Sequence, residues 1–149
     1  MLMRPIRRQP EKAIQAHIVR LLKHVGCQVY VLGTHRRRGD YQGTMQTAGL
    51  PDVLAFLPRA MGLLFVEVKS PKGTLRPEQV TFRDAAVACQ DARPGVYYAT
   101  GGLDAVIITL MVLGLLKADQ VASYHTTLAQ QEDAQDETDA YRAAGGRAR

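Results

Sequence analysis

At 149 residues, 46% hydrophobic and 22% charged, the chain has the size and composition of one globular domain able to bury a single core. A formal charge of +5 favours a polyanionic partner without specifying one. Cys27 and Cys89 form no CxxC or Cys/His spacing, which argues against a zinc site or a disulfide framework, and both are expected as reduced, small apolar core residues in a cytoplasmic protein.

The first ten residues form a basic arm. Their charges precede no apolar run, so the arm is not a secretory signal. Pro10 and Glu11 suit the first turn of a helix, and Ile14, Ile18, Leu21, Leu22 and Val25 recur at helical spacing until Gly26 supplies a stop. "CQVYVL" over 27–32 has strand composition. The glycine-rich, polar "GTHRRRGDYQGTMQTAG" that follows is a long loop or irregular hairpin, a length uncommon in a compact domain unless it is functional.

Two strands are expected over 53–57 and 63–69, joined by "PRAMG". A helix over 77–90 carries Val80, Phe82, Ala85, Ala86 and Cys89, and a strand restarts over 96–99. Gly101 and Gly102 separate it from an apolar helix over 103–116. That helix contains Asp104 and is shorter than the ~18 residues a bilayer span needs, so it is buried or faces a partner subunit and no membrane is implied. Residues 118–149 are polar, with acids at Glu132, Asp133, Asp136, Glu137 and Asp139, and form a solvated helix or a disordered tail.

The order is helix, three strands, helix, strand, helix. The strand–helix–strand step implies a parallel crossover, so the fold is an α/β domain over 11–117: a small mixed sheet flanked by helices in α-β-β-β-α-β order.

Three charges sit on the core strands. In "FVEVKS", alternation sends Val66 and Val68 to one face and Glu67 and Lys69 to the other. If the two strands pair as a hairpin, Asp52 meets Glu67 across it. Two carboxylates that close repel unless a cation lies between them. Mg²⁺ suits the place, because it is bound by one or two carboxylates together with water and phosphate. A lysine beside it can orient water or offset charge on a phosphate. Taken singly, Glu67 and Lys69 are a surface ion pair and Asp52 a turn cap.

Taken together, "GLPD" at Gly49–Asp52, "EVKSPKG" at Glu67–Gly73, Glu11 with Gln15 one turn on, and Gln79 in "RPEQ" resemble the VRR-NUC branch of the PD-(D/E)xK nucleases. The resemblance spans residues 11–116. It implies a restriction-endonuclease-like core that cuts DNA with Mg²⁺ or Mn²⁺ and needs no small-molecule cofactor. Asp52 and Glu67 would be metal ligands, the Val68 carbonyl a third, and Lys69 would assist the attacking water. Glu11 would complete or support the metal site, and Gln79 would steady Lys69 or the phosphate. Small members of this branch resemble homodimers that cut branched DNA such as Holliday junctions.

Arg36, Arg37 and Arg38, with Lys72 and Arg76, fit a clamp on the DNA backbone, since guanidinium groups grip phosphate bidentately. Arg4, Arg7 and Arg8 would extend it, and Tyr41 would stack on an unpaired base or simply pack. The apolar 103–116 helix is the expected dimer contact. A non-catalytic nucleic-acid-binding module and a sequence-specific restriction-type enzyme are the competing functions.

Overall fold

The structure, a computed structural model, describes residues 10–32, 47–125, 140 and 143. Residues 1–9 of the basic arm, the loop with His35, Arg36, Arg37, Arg38 and Tyr41, and the acidic cluster lie outside the described residues. The chain divides into two compact units, one ending at Thr109 and the other starting at Leu110.

Helix α1 (Glu11–His24) is followed by strands β1 (Gln28–Val31), β2 (Val53–Phe56) and β3 (Leu63–Val68), helix α2 (Pro77–Ala92), strand β4 (Val96–Gly101) and helix α3 (Leu103–Val112). The four strands make one mixed sheet in the order β1-β2-β3-β4. β1–β2 and β2–β3 are antiparallel, while β3–β4 is parallel across the α2 connection. This is the α/β arrangement that the strand and helix periods imply.

Alternation divides the sheet into two unlike faces. Val53, Ala55, Leu64, Val66 and Val68 are buried on one, and α1, lying against β1 and β3, buries Ile14, Ile18, Leu21 and Leu22. Each such side chain contributes about 1.5–3 kcal/mol of burial free energy. α1 stops where Gly26 takes φ +92. There Cys27 N–H bonds the Leu22 carbonyl at 2.9 Å and Gly26 N–H the Lys23 carbonyl at 3.1 Å, a left-handed helix stop that spares glycine a Cβ clash.

The opposite face is half covered. Phe82 of α2 meets Phe65 edge-on with centroids 5.1 Å apart and leans on Tyr98 at 6.3 Å, so α2 shields the β3–β4 half. On the β1–β2 half Tyr30 and Phe56 stay exposed.

Several expectations change. Cys27 is buried as expected, but Cys89 is exposed. α2 buries only Gln79 and Ala86. Ala85 is exposed too, because the helix rests on the sheet through its aromatic side and its flanks face water. β2 ends at Phe56 and β3 at Val68, while β4 runs on to Gly101, whose carbonyl accepts the Lys69 N–H at 3.0 Å. "PRA" forms a 3₁₀ turn.

In the second unit the apolar run does not stay helical to residue 116. Leu115 N–H bonds the Leu110 carbonyl at 2.9 Å and Gly114, at φ +73, bonds that of Met111 at 3.0 Å. That is the same glycine stop as on α1. Residues 118–125 are helical again. Among the described residues no helix is long and apolar enough to cross a membrane.

Candidate active site

The site begins with register. Val53 pairs with Val66, so the next step of an antiparallel ladder sets Asp52 opposite Glu67. Asp52 Oδ2 accepts the Val68 N–H at 2.8 Å, and the Asp52 carbonyl accepts the Leu32 N–H at 2.8 Å. The aspartate thus fastens both neighbouring strands at their shared end.

The approach to Asp52 is tight. Gly49 takes φ +91, and a Cβ there would lie 2.5 Å from the Glu78 carbonyl oxygen. Only glycine lets the chain cross the first turn of α2 so closely. Pro51 is then buried.

Glu67 is 2% exposed. Its Oε1 accepts a hydrogen bond from Gln79 Nε2 at 2.6 Å and lies 3.0 Å from Lys69 Nζ. Gln79, 5% exposed, is itself held, because its Oε1 accepts the Arg76 N–H at 2.9 Å. Arg76 is the N-cap residue of α2 and Pro77 its first residue. The third helical residue reaching back to the N-cap N–H is one half of a capping box. With its oxygen so engaged, the amide has only N–H groups to offer Glu67.

Burial pushes the Glu67 carboxyl above its ordinary range. The Lys69 hydrogen bond opposes that rise, the Asp52 charge adds to it, and Arg76 and Lys69 charges pull it back. Burial likewise pushes the Tyr98 hydroxyl up, with the Glu67 charge next in size.

Glu11, at the start of α1, is exposed, and its Oε1 accepts the Ser70 N–H at 3.2 Å. Between them sits Gly73, where a Cβ would lie 3.2 Å from Glu11 Oε1 and 3.3 Å from Lys69 Cδ. Glu11 therefore borders the turn that follows Lys69. Lys72 and Arg76 are exposed near the same end. Arg36, Arg37 and Arg38 lie outside the described residues.

The structure thus brings together Asp52, Glu67, Lys69 and Gln79, with Glu11 reaching the same turn through Ser70. Gln79 bonds Glu67 rather than Lys69. Among the described residues no group of three or more His, Cys, Asp or Glu is arranged to hold a metal ion. What they offer is a facing pair of carboxylates. Asp52 engages Val68 N–H through Oδ2 and Glu67 engages Gln79 and Lys69 through Oε1, and the Asp52 charge helps to raise the Glu67 pKa. Two hard oxygen donors in mutual repulsion fit a cation such as Mg²⁺, which takes few protein ligands and keeps its waters.

No motif in the sequence singles out Tyr30 and Phe56, which share the sheet face of Asp52 and Glu67. Their period-2 positions in "QVYV" and "VLAF" are the signal that could have done so.

No family model matches the chain, and no curated protein matches it. It is similar to a solved VRR_NUC domain. The two are 24% identical over 68% of this chain and 92% of that one, with a TM-score of 0.47. A likeness that distant leaves the function to be read from the chain's own residues.

Proposed function

We propose that the chain is a metal-dependent DNA endonuclease of the VRR-NUC type that hydrolyses phosphodiester bonds in branched DNA. The observation that carries this is the buried Glu67 facing Asp52 across β2–β3 with the Lys69 ammonium 3.0 Å from its carboxylate.

In this reading Asp52 and Glu67 hold Mg²⁺ or Mn²⁺, with the Val68 carbonyl and Glu11 completing or supporting the set. Bound there, the ion supplies positive charge against a phosphate undergoing displacement and polarises water. Lys69 orients the attacking water and offsets the charge that builds on the phosphate. Gln79, bonded to Glu67 Oε1, fixes the Glu67 carboxylate in place. Arg36, Arg37, Arg38, Lys72 and Arg76 grip the backbone, which orients the strand without reading its sequence. A homodimer, meeting through apolar side chains of α3 such as the exposed Ile108, would present two such sites to the two strands of a junction.

The test is incubation with labelled four-way junction, flap and linear duplex DNA in Mg²⁺, Mn²⁺ or EDTA. Metal-dependent cutting, strongest on the branched substrates, is expected. Binding without cleavage in any metal overturns the enzyme; a fixed cut site on plain duplex replaces branch selectivity with sequence specificity.

A further inference from the structure

We propose that Tyr30 and Phe56 form a stacking platform for an unpaired nucleobase of the strand held at Asp52 and Glu67. The proposal rests on the nuclease reading and adds a subsite to it.

The placement follows from register. Tyr30 pairs with Leu54, and Gln28 with Phe56. Leu54 and Phe56 are two and four residues beyond Asp52 on β2, so all three side chains share the sheet face of Glu67. A diagonal neighbour across two antiparallel strands lies about 7–8 Å away, which sets Tyr30 one such step from Asp52. That is the reach of a base belonging to a nucleotide next to the scissile phosphate.

The two rings touch edge to face, with centroids 5.9 Å apart and planes at 80°. They remain 44% and 46% exposed. The Gln28 amide donates to the Tyr30 hydroxyl, which restrains the ring from its polar end. α2, which closes the same face over Phe65 and Tyr98 through Phe82, stops short of this half. Leaving two large aromatic side chains in water, side by side, forgoes burial worth about 1.5–3 kcal/mol for a ring, and Leu54 lies between Phe56 and Asp52 on the same face. A base has the flat apolar faces such a patch fits. Stacking of this kind tolerates any sequence and holds single strands in preference to paired ones. The net charge of +5 favours a polyanionic partner for the chain as a whole.

The test is binding in EDTA, which keeps cleavage out of the readout. Fluorescence anisotropy would be read on a flap and a blunt duplex of equal length, with 2-aminopurine at the unpaired position. Tyr30→Leu and Phe56→Leu keep apolar area and lose the π face, and Tyr30→Trp restores one. Each Leu variant is expected to weaken flap binding by about tenfold, within the range of one stacked base, and to abolish 2-aminopurine quenching. Duplex binding should stay within about twofold, and Tyr30→Trp should bind like the wild type. Equal loss on both DNAs, or no loss on either, overturns the platform. Sedimentation velocity on the same variants excludes or installs the other occupant: if Tyr30→Leu dissociates a wild-type dimer, the face belongs to a second copy and the platform is wrong. A wild type that binds neither DNA in EDTA and cuts neither in Mg²⁺ or Mn²⁺ overturns the nuclease reading itself, a result distinct from every outcome above.

Discussion

Asp52 Oδ2 accepts the Val68 N–H at 2.8 Å, so one carboxylate both locks the end of the β2–β3 hairpin and faces Glu67. Asp52→Asn keeps an acceptor for that N–H and removes the charge. Asp52→Ala removes both and leaves a buried donor unmet, a loss of about 1–3 kcal/mol. Both variants are expected to lose cleavage, but only the Ala variant should lower the thermal midpoint appreciably. Thermal melts beside a junction-cutting assay separate the two roles. An Asn variant that cuts at the wild-type rate removes Asp52 from the site.

Glu67 ties stability to pH. Its carboxyl titrates above the ordinary range in the folded chain because burial penalises the charge. A raised carboxyl pKa means that the folded state holds its proton more tightly than the unfolded one. The stabilisation is therefore full below the unfolded value and is lost as pH rises through the folded value. In EDTA, Glu67→Gln should be more stable than the wild type at neutral pH, and the gap should close as the pH falls through that window. Urea midpoints measured from acid to neutral pH test this. If the wild type gains stability with rising pH relative to the Gln variant, the sign is wrong.

Gln79 is predicted to act through Glu67. Gln79→Ala strips the carboxylate of a donor and leaves the Arg76 N–H without its partner. Loss of a supporting partner of this kind typically reduces metal affinity or activity by about 10- to 100-fold. The measurement is Mn²⁺ binding and cleavage side by side. A purely structural role for Gln79 would lower the melting temperature and leave Mn²⁺ affinity unchanged.

Much of the fold and of the site is legible in the sequence. The period-2 runs set the strands, the valines of "FVEVKS" marked the inner face, and a hairpin through "PRAMG" required Asp52 to meet Glu67. The partner of Glu67 was harder to see. Gln79 reaches the site as the third residue of a helix whose N-cap is Arg76, and arginine is not among the residues that usually mark a cap. The end of α3 was hidden by hydropathy: "LMVLGLL" stays apolar through Gly114, so composition continued where the backbone turned. Cys89 misled for a related reason, since helical spacing assigns a face but not how much of that face a neighbouring element covers.

Gly49 predicts how closely the approach to Asp52 is built. At φ +91, with the Glu78 carbonyl 2.5 Å from any added Cβ, Gly49→Ala must move backbone against backbone. Left-handed strain alone costs about 1–3 kcal/mol, and the clash adds to it. The variant should melt lower and cut more slowly even though it alters no charged group. By contrast, alanine at Gly95, where a Cβ would meet nothing within 4 Å, should cost only its own φ +120 strain and spare cleavage. Cleavage that survives Gly49→Ala unchanged would show that Asp52 is positioned independently of the α2 contact.

Lys69 carries the sharpest prediction, because its ammonium belongs to the chemistry while its stem belongs to the turn. Nζ lies 3.0 Å from Glu67 Oε1, and Cδ packs where a Cβ on Gly73 would approach within 3.3 Å. Lys69→Met keeps the stem and discards the charge. It should fold like the wild type, bind the junction within a few-fold, and cut at least 10²-fold more slowly, the lower end expected of a positioned proton-transfer group. Lys69→Ala should lose cleavage as fully and lose some packing at the turn as well. Lys69→Arg, always charged and planar, retains the pairing with Glu67 but delivers its protons from a different geometry, so partial activity is expected. If the Met variant cuts normally, the nucleophile is oriented by another group. If it loses junction binding in proportion to activity, Lys69 is a phosphate contact and not a participant in the hydrolysis.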